Sequence, residues 1–398
     1  MKRPRLMGIA LLVLSAFTGT LAFRLATPAI AFYTRDILRA SMLSVSIVSM
    51  SFVIARAFSS ILGGLILERG KKLVYIGAVA MMLNGFAVQL YPLTSSWAQV
   101  AGIKLLNGFL NGLGWPTAQF VIAVTTPSEI RARVTSVYFF FGSIASLLGN
   151  YVYAYTVRWG LGGQMWISSA FFILTSLIMV GSYVLLSEWI IPRRPKSPGN
   201  ERTALDPKRI LIIASLMAVI VAFTSGEITY VYVSEALGLN RETTAMLIGW
   251  AGFLAALLSY GASWMADIGS ERRTVTMTTI LAAVSPVLAG IKTAPTVFLG
   301  IFLALFAFQS FRPISRKVLA SYHRSSLAIG GVNGVQNLST FFGGMIFGLT
   351  YSLGELHGVV TLNIALLSFL PVSLALLWET VKLKEEGNGP KPSVPKLL

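Results

Sequence analysis

Stretches of about 20 apolar residues, separated by short charged or turn-rich breaks, recur along the whole chain. That is the length of α-helix that crosses the hydrocarbon core of a bilayer. In lipid the backbone must satisfy its own hydrogen bonds, so such a chain folds as helices or as a closed barrel. A barrel would show alternating strands of about ten residues with a polar lumen, and no such alternation is present. Charged residues make up 12% of the 398, against about 25% in a soluble domain. The expected fold class is an all-α polytopic membrane protein.

The breaks delimit twelve expected spans: 7–33, 43–66, 73–93, 97–124, 134–156 and 165–187, then 209–234, 243–266, 274–292, 296–320, 326–351 and 358–381. The start, MKRPRLMGIALLVLSAFTGTLA, has the pattern of a signal peptide. Its apolar run continues through Ala31, which favours a first retained span. With the N-terminus cytoplasmic, 23 of the 32 Lys and Arg fall on the cytoplasmic side, five fall opposite and four lie within spans. The net charge of +17 is then a topology signal rather than a nucleic-acid surface. Both termini are expected inside, with a cell-membrane location.

The sharpest change of composition, IIPRRPKSPGNERTALDPKR, lies at the midpoint. It suggests a six-helix bundle over 1–189, a cytoplasmic linker over 190–208, a second six-helix bundle over 209–381 and a disordered cytoplasmic tail over 382–398. The halves also echo each other. Glu68 and Asp267 are 199 residues apart, as are Asp36 and Glu235, and Trp115-Pro116 and Arg312-Pro313 are 197 apart. This indicates pseudo-symmetric bundles of like orientation.

Two loops at matching places carry an acid, a glycine and a basic pair. The first holds Gly64, Glu68, Arg69, Gly70, Lys71 and Lys72; the second holds Asp267, Gly269, Arg272 and Arg273. With the twelve spans and the repeat, they make the chain resemble the major facilitator superfamily of secondary transporters. That family carries G-x-x-x-D-R-x-G-R-R between its second and third helices and a weaker copy between the eighth and ninth. Here one residue, not two, separates each acid from its glycine. The first copy has Glu for Asp, and the second has Ser263 at the place of the first Gly. The resemblance implies a cytoplasmic latch released as the protein rocks between states, and a monomeric carrier. Cations are favoured at the negative end of a helix dipole; the latch is the preferred reading, with topology anchoring alone as the alternative for Arg69, Lys71 and Lys72.

Five ionisable residues fall well inside the spans, away from their ends: Arg24, Arg56, Lys104, Glu227 and Arg312. Each costs about 2.5–3.5 kcal/mol or more at mid-bilayer, so such groups face a cavity or each other. Lys104 is seven residues into its span, near enough to the end to snorkel outward. Arg312 precedes Pro313, which frees backbone carbonyls it could bond. Shifted by the repeat, Glu227 falls at 28, one helical turn from Arg24, so these two are expected to pair across the cavity. An acid that gains and loses a cation as the cavity opens can take up and release a proton. The surplus of cations favours an anionic solute. Asn107, Asn111 and Gln119 lie at helical spacings in the fourth span and offer a polar face.

The expected function is solute transport by alternating access, proton-coupled or exchange-driven, with the small-molecule solute, protons and the bilayer as partners. Efflux of amphipathic compounds by proton antiport and sugar transport are the alternatives. A membrane enzyme would need a polar catalytic cluster. H-E-x-x-H, G-x-S-x-G and G-x-x-x-x-G-K-[ST] are all missing from the sequence. No cofactor is implied. Cysteine is absent, and the histidines, His323 and His357, lie in different loops.

Overall fold

The computed structural model describes residues 3–67, 70–127, 130–190, 205–265, 271–322, 326–357 and 365–385. Among these there is no strand, and thirteen α-helices of twelve or more residues account for most of the chain. In the first half they are α1 (Arg3–Phe32), α2 (Met42–Leu67), α3 (Tyr75–Val88), α4 (Trp97–Thr125), α5 (Arg131–Thr156) and α6 (Gly160–Leu186). In the second half they are α7 (Pro207–Ile220), α8 (Gly226–Leu237), α9 (Arg241–Met265), α10 (Glu271–Ala289), α11 (Ala294–Tyr322), α12 (Ser326–His357) and α13 (Leu370–Glu385). Eight segments among the described residues are long and apolar enough to cross a membrane. The chain is a multi-pass membrane protein.

The expected span 209–234 is not one helix. α7 tightens into a 3-10 turn at Val221–Thr224 and stops at Ser225, and α8 begins afresh at Gly226. Gly226 has φ +52°, where a side chain is strained, and a Cβ there would lie 2.8 Å from Ser49 Oγ. The break thus reflects a backbone turn that only glycine takes easily, at a point where α2 presses close. A second difference lies at the end. α13 runs on to Glu385, four residues into the expected tail, with Lys382 paired to Glu379 at 3.2 Å in its last turns. A cation there also suits the negative end of the helix dipole. Most of the linker and the tail beyond Glu385 lie outside the described residues.

Within the first half, α1 packs on α5 and α6, α2 on α4, and α3 on α4 and α6. Within the second, α10 packs on α11 and α13, α9 on α11, and α7 on α12 and α13. The halves meet where α2 packs on α12, α5 on α9, and α8 on α1 and α2. α2 and α4 approach closely because Gly108 and Gly112 have no side chain. A Cβ on Gly108 would lie 2.2 Å from the Phe52 carbonyl oxygen. Ser182 Oγ donates to the Gly8 carbonyl at 2.8 Å, and Arg209 pairs with Glu379 at 3.6 Å. These contacts mark one end of the bundle, here the terminal end. The loops holding Asp36 and Arg241 lie at the opposite, far end.

Candidate functional site

Glu227 opens α8 from the second half and is 1% exposed, yet it is enclosed by side chains of the first half. Its carboxylate forms an ion pair with Lys104 of α4, which is 3% exposed. Ser49 of α2 works twice. Its hydroxyl donates to Glu227 Oε2 at 2.6 Å and accepts the Glu227 backbone N–H at 2.8 Å. One serine thus satisfies an orphan N–H of the α8 N-terminus and a carboxylate oxygen. The Lys104 ammonium sits between two aromatic rings, 5.6 Å from the Phe23 centroid and 5.5 Å from that of Phe52. Three elements, α2, α4 and α8, therefore converge on one charge pair spanning the two halves.

The expected partner of Glu227, Arg24, is elsewhere. Arg24 is half-buried on α1 and bonds the Tyr230 hydroxyl, one turn along α8 from Glu227. Tyr230 in turn donates to Asn150 Oδ1 of α5 at 2.7 Å. The repeat placed the two charges at similar heights, but helix rotation gives Glu227 to Lys104 instead. The lysine does not snorkel outward, because a buried carboxylate lies within reach of its stem. Arg24–Tyr230–Asn150 makes a second polar link between the halves.

Asn107 and Asn111 belong to a hydrogen-bonded cluster beside a small cavity that both help to line. Tyr91 donates to Asn107 Oδ1 at 2.5 Å, Asn107 Nδ2 to Asn84 Oδ1 at 3.0 Å, and Trp115 Nε1 to Asn111 Oδ1 at 2.9 Å. Gln119 is half-buried two turns further along α4. Arg56 is half-buried on α2, two turns from Ser49, and its carbonyl accepts the Ser60 hydroxyl at 2.7 Å. Arg312 on α11 is half-buried with its guanidinium 4.5 Å from the Phe308 centroid. Its carbonyl accepts the Ser315 hydroxyl at 3.0 Å.

Of the two loop motifs, Glu68, Arg69, Asp267 and Gly269 lie outside the described residues. Gly70 is extended, Lys71 and Lys72 are exposed on a short 3-10 turn before α3, and Gly64 faces open space. Arg272 and Arg273 fall in the first turn of α10. A helix dipole favours cations only at the end of the preceding helix, so the dipole argument does not extend to this pair.

At the far end a second set of charges joins the halves. Arg35 pairs with Glu235 at 2.6 Å and also with Glu355. Arg241 pairs with Asp36 at 2.6 Å, and Tyr351 donates to Glu235. The acids repeated 199 residues apart, Asp36 and Glu235, thus each reach an arginine of the opposite half. Nearby, Leu43 N–H donates to Ser352 Oγ at 2.8 Å. Ser49 and Asn150 carry no sequence signal of their own; Asn84 stands out only as one of several amides that could serve a sugar, and Tyr230 only as one aromatic that could line an amphipathic pocket. Lys104 did carry one: it lies three and seven residues before Asn107 and Asn111, on the same face of α4.

The family profile described as Major Facilitator Superfamily matches residues 12–229. No curated protein sequence matches the chain. Solved structures do. The nucleoside transporter NupG is similar with a TM-score of 0.72 at 13% identity, covering 95% of this chain and 99% of its own. A bacterial homologue of the human lysosomal transporter Spinster, inward-facing and unoccupied, gives 0.68 at 14%, covering 99% and 100%. A POT family transporter in complex with 5-aminolevulinic acid gives 0.68 at 13%, covering 95% of each.

Proposed function

The chain belongs to the major facilitator superfamily, and on that premise we propose that it carries a small anionic solute across the cytoplasmic membrane by alternating access, coupled to protons or to exchange. The similar structures are all named as transporters, but they differ in solute, so the solute class here rests on charge. The helices are read as twelve crossings, α7 and α8 together forming the seventh. They are grouped as six-helix bundles over 1–189 and 209–381, with a linker over 190–208. The terminal end is assigned to the cytoplasm because the Lys and Arg excess lies there.

The observation that carries the reading is the Lys104–Glu227 pair lying between the two bundles. A pair shared by two bodies that rock against each other is made in one state and broken in another. A buried carboxylate without its cation neutralises by taking a proton. Glu227 is therefore assigned the coupling role, Lys104 the role of its exchangeable partner, and Ser49 that of holding the acid in place. Arg24, Arg56 and Arg312 supply the positive surplus that attracts an anion. The basic loops at Gly64, Glu68, Arg69, Gly70, Lys71, Lys72 and at Asp267, Gly269, Arg272, Arg273 are assigned the cytoplasmic latch. A sugar carrier is less well served, since Asn107 and Asn111 are committed to Tyr91, Asn84 and Trp115.

Flux into proteoliposomes tests this. A labelled monocarboxylate or phosphate ester should enter saturably under a pH gradient, and a protonophore should abolish the accumulation. Accumulation of neutral sugars alone would overturn the anion assignment.

A further inference from the structure

Trp115 fixes the polarity of the buried amide network. An indole N–H only donates, so the Asn111 oxygen must face it, at 2.9 Å. Asn111 then turns its nitrogen to Asn84 Oδ1 at 3.3 Å and to the Asn107 carbonyl at 2.9 Å. Asn84 Oδ1 also accepts from Asn107 Nδ2, which leaves the Asn107 oxygen to take the Tyr91 hydroxyl. Each amide orientation follows from the first. At the end of the network stands Asn84 Nδ2, on a side chain 0% exposed, with no acceptor among the described residues.

Asn84 lines a small cavity enclosed by α1, α3, α4 and α6, with room for about a single water molecule. Lys104 lines it too, and much of the remaining wall is apolar, including Phe23, Ile30 and Phe172. This cavity lies inside the first bundle rather than between the halves. Lys104 reaches both, since its ammonium also pairs with Glu227.

We infer that this cavity is a binding site for one small monatomic anion, a halide of about the size of chloride, held by Asn84 Nδ2 and Lys104 Nζ and occupied when Glu227 is protonated. With Glu227 ionised, Lys104 is already neutralised, and a second anion beside it would be an uncompensated buried charge. With Glu227 protonated, the ammonium and the amide are the two donors facing one acceptor. The charged and titratable groups about Glu227 are Lys104 on α4, Tyr91 after α3, Tyr230 on its own helix, and Arg24 on α1 through Tyr230. On α2, Ser49 adds a neutral hydroxyl.

The test is thermal unfolding of the purified full chain in detergent, titrated with sodium chloride. Sodium gluconate, too large for the cavity, is the ionic-strength control. A ligand that binds the folded state raises the midpoint. The wild type should bind chloride more tightly in acid than in alkali, and Glu227→Gln should bind tightly and independently of pH. Asn84→Leu should weaken binding about tenfold to a hundredfold, as expected for one hydrogen bond to a charge. Should that variant not fold, Asn84→Asp keeps the acceptor for Asn107 and Asn111 but replaces the donor by a carboxylate, and should abolish binding. No anion-specific shift in Glu227→Gln, or an undiminished shift in Asn84→Asp, would overturn the site. Transport of an anion with no such shift would remove the cavity and leave the carrier reading standing.

Discussion

The two halves are joined by charges at two levels, and the levels differ in kind. At the far end, Arg35 with Glu235 and Arg241 with Asp36 are 20–40% exposed. In the interior, the side chains of Lys104 and Glu227 are 4% and 1% exposed. Exposed pairs are screened by salt and contribute about 0–1 kcal/mol each. A buried pair contributes little net stability against an apolar pair, yet breaking it by removing one partner is strongly unfavourable. The rim pairs can therefore open and close cheaply, as a clasp must. The interior pair cannot open without a proton or another ion to compensate it, which is what coupling requires. The rim also repeats the internal symmetry, each repeated acid reaching across to the other half, whereas the interior acid has no acidic counterpart in α1.

Five perturbations separate the two levels, the largest effect first. The chain contains no cysteine, so Leu43→Cys with Ser352→Cys introduces a single cross-link at the far end. Oxidation should arrest transport and a reductant should restore it; unaffected transport after verified cross-linking would show that the far end need not open. Lys104→Ala or Glu227→Ala should each lower stability by about 3–5 kcal/mol, read by thermal unfolding in detergent. Lys104→Met with Glu227→Leu should recover most of that loss while leaving no gradient-driven uptake. Ser49→Ala, which removes one hydrogen bond to a carboxylate and one to a helix N-terminus, should cost about 1–3 kcal/mol. Arg35→Ala, which removes two partly exposed ion pairs and a hydrogen bond to the Ala40 carbonyl, should cost about 1–2 kcal/mol, and raising the salt concentration should shrink the difference. Equal losses for Arg35→Ala and Lys104→Ala would erase the distinction between clasp and coupling pair.

The sequence carried the helices well, because crossing a bilayer demands a long apolar run and basic residues mark its ends. It carried the repeat through Asp36 and Glu235, whose spacing needs no structure to see. It did not carry the partner of Glu227. In a membrane bundle the lipid-facing and core-facing sides of a helix are both apolar, so periodicity does not reveal rotation. Arg24 and Lys104 were then equally eligible, and the repeat favoured the wrong one by fixing height without direction. The break before α8 was visible only as Ser225-Gly226, an ordinary pair unless Ser49 is known to press on it. Asn84 was one polar residue among many, and its role depends on Trp115 orienting three amides in turn.

The central claim is that Glu227 couples solute movement to protons by exchanging Lys104 for a proton. The most direct measurement compares gradient-driven accumulation with counterflow exchange in proteoliposomes bearing Glu227→Gln. Accumulation should be lost while exchange persists, because a permanently neutral side chain still permits rocking but carries no proton. Accumulation at the wild-type level in that variant would contradict the claim.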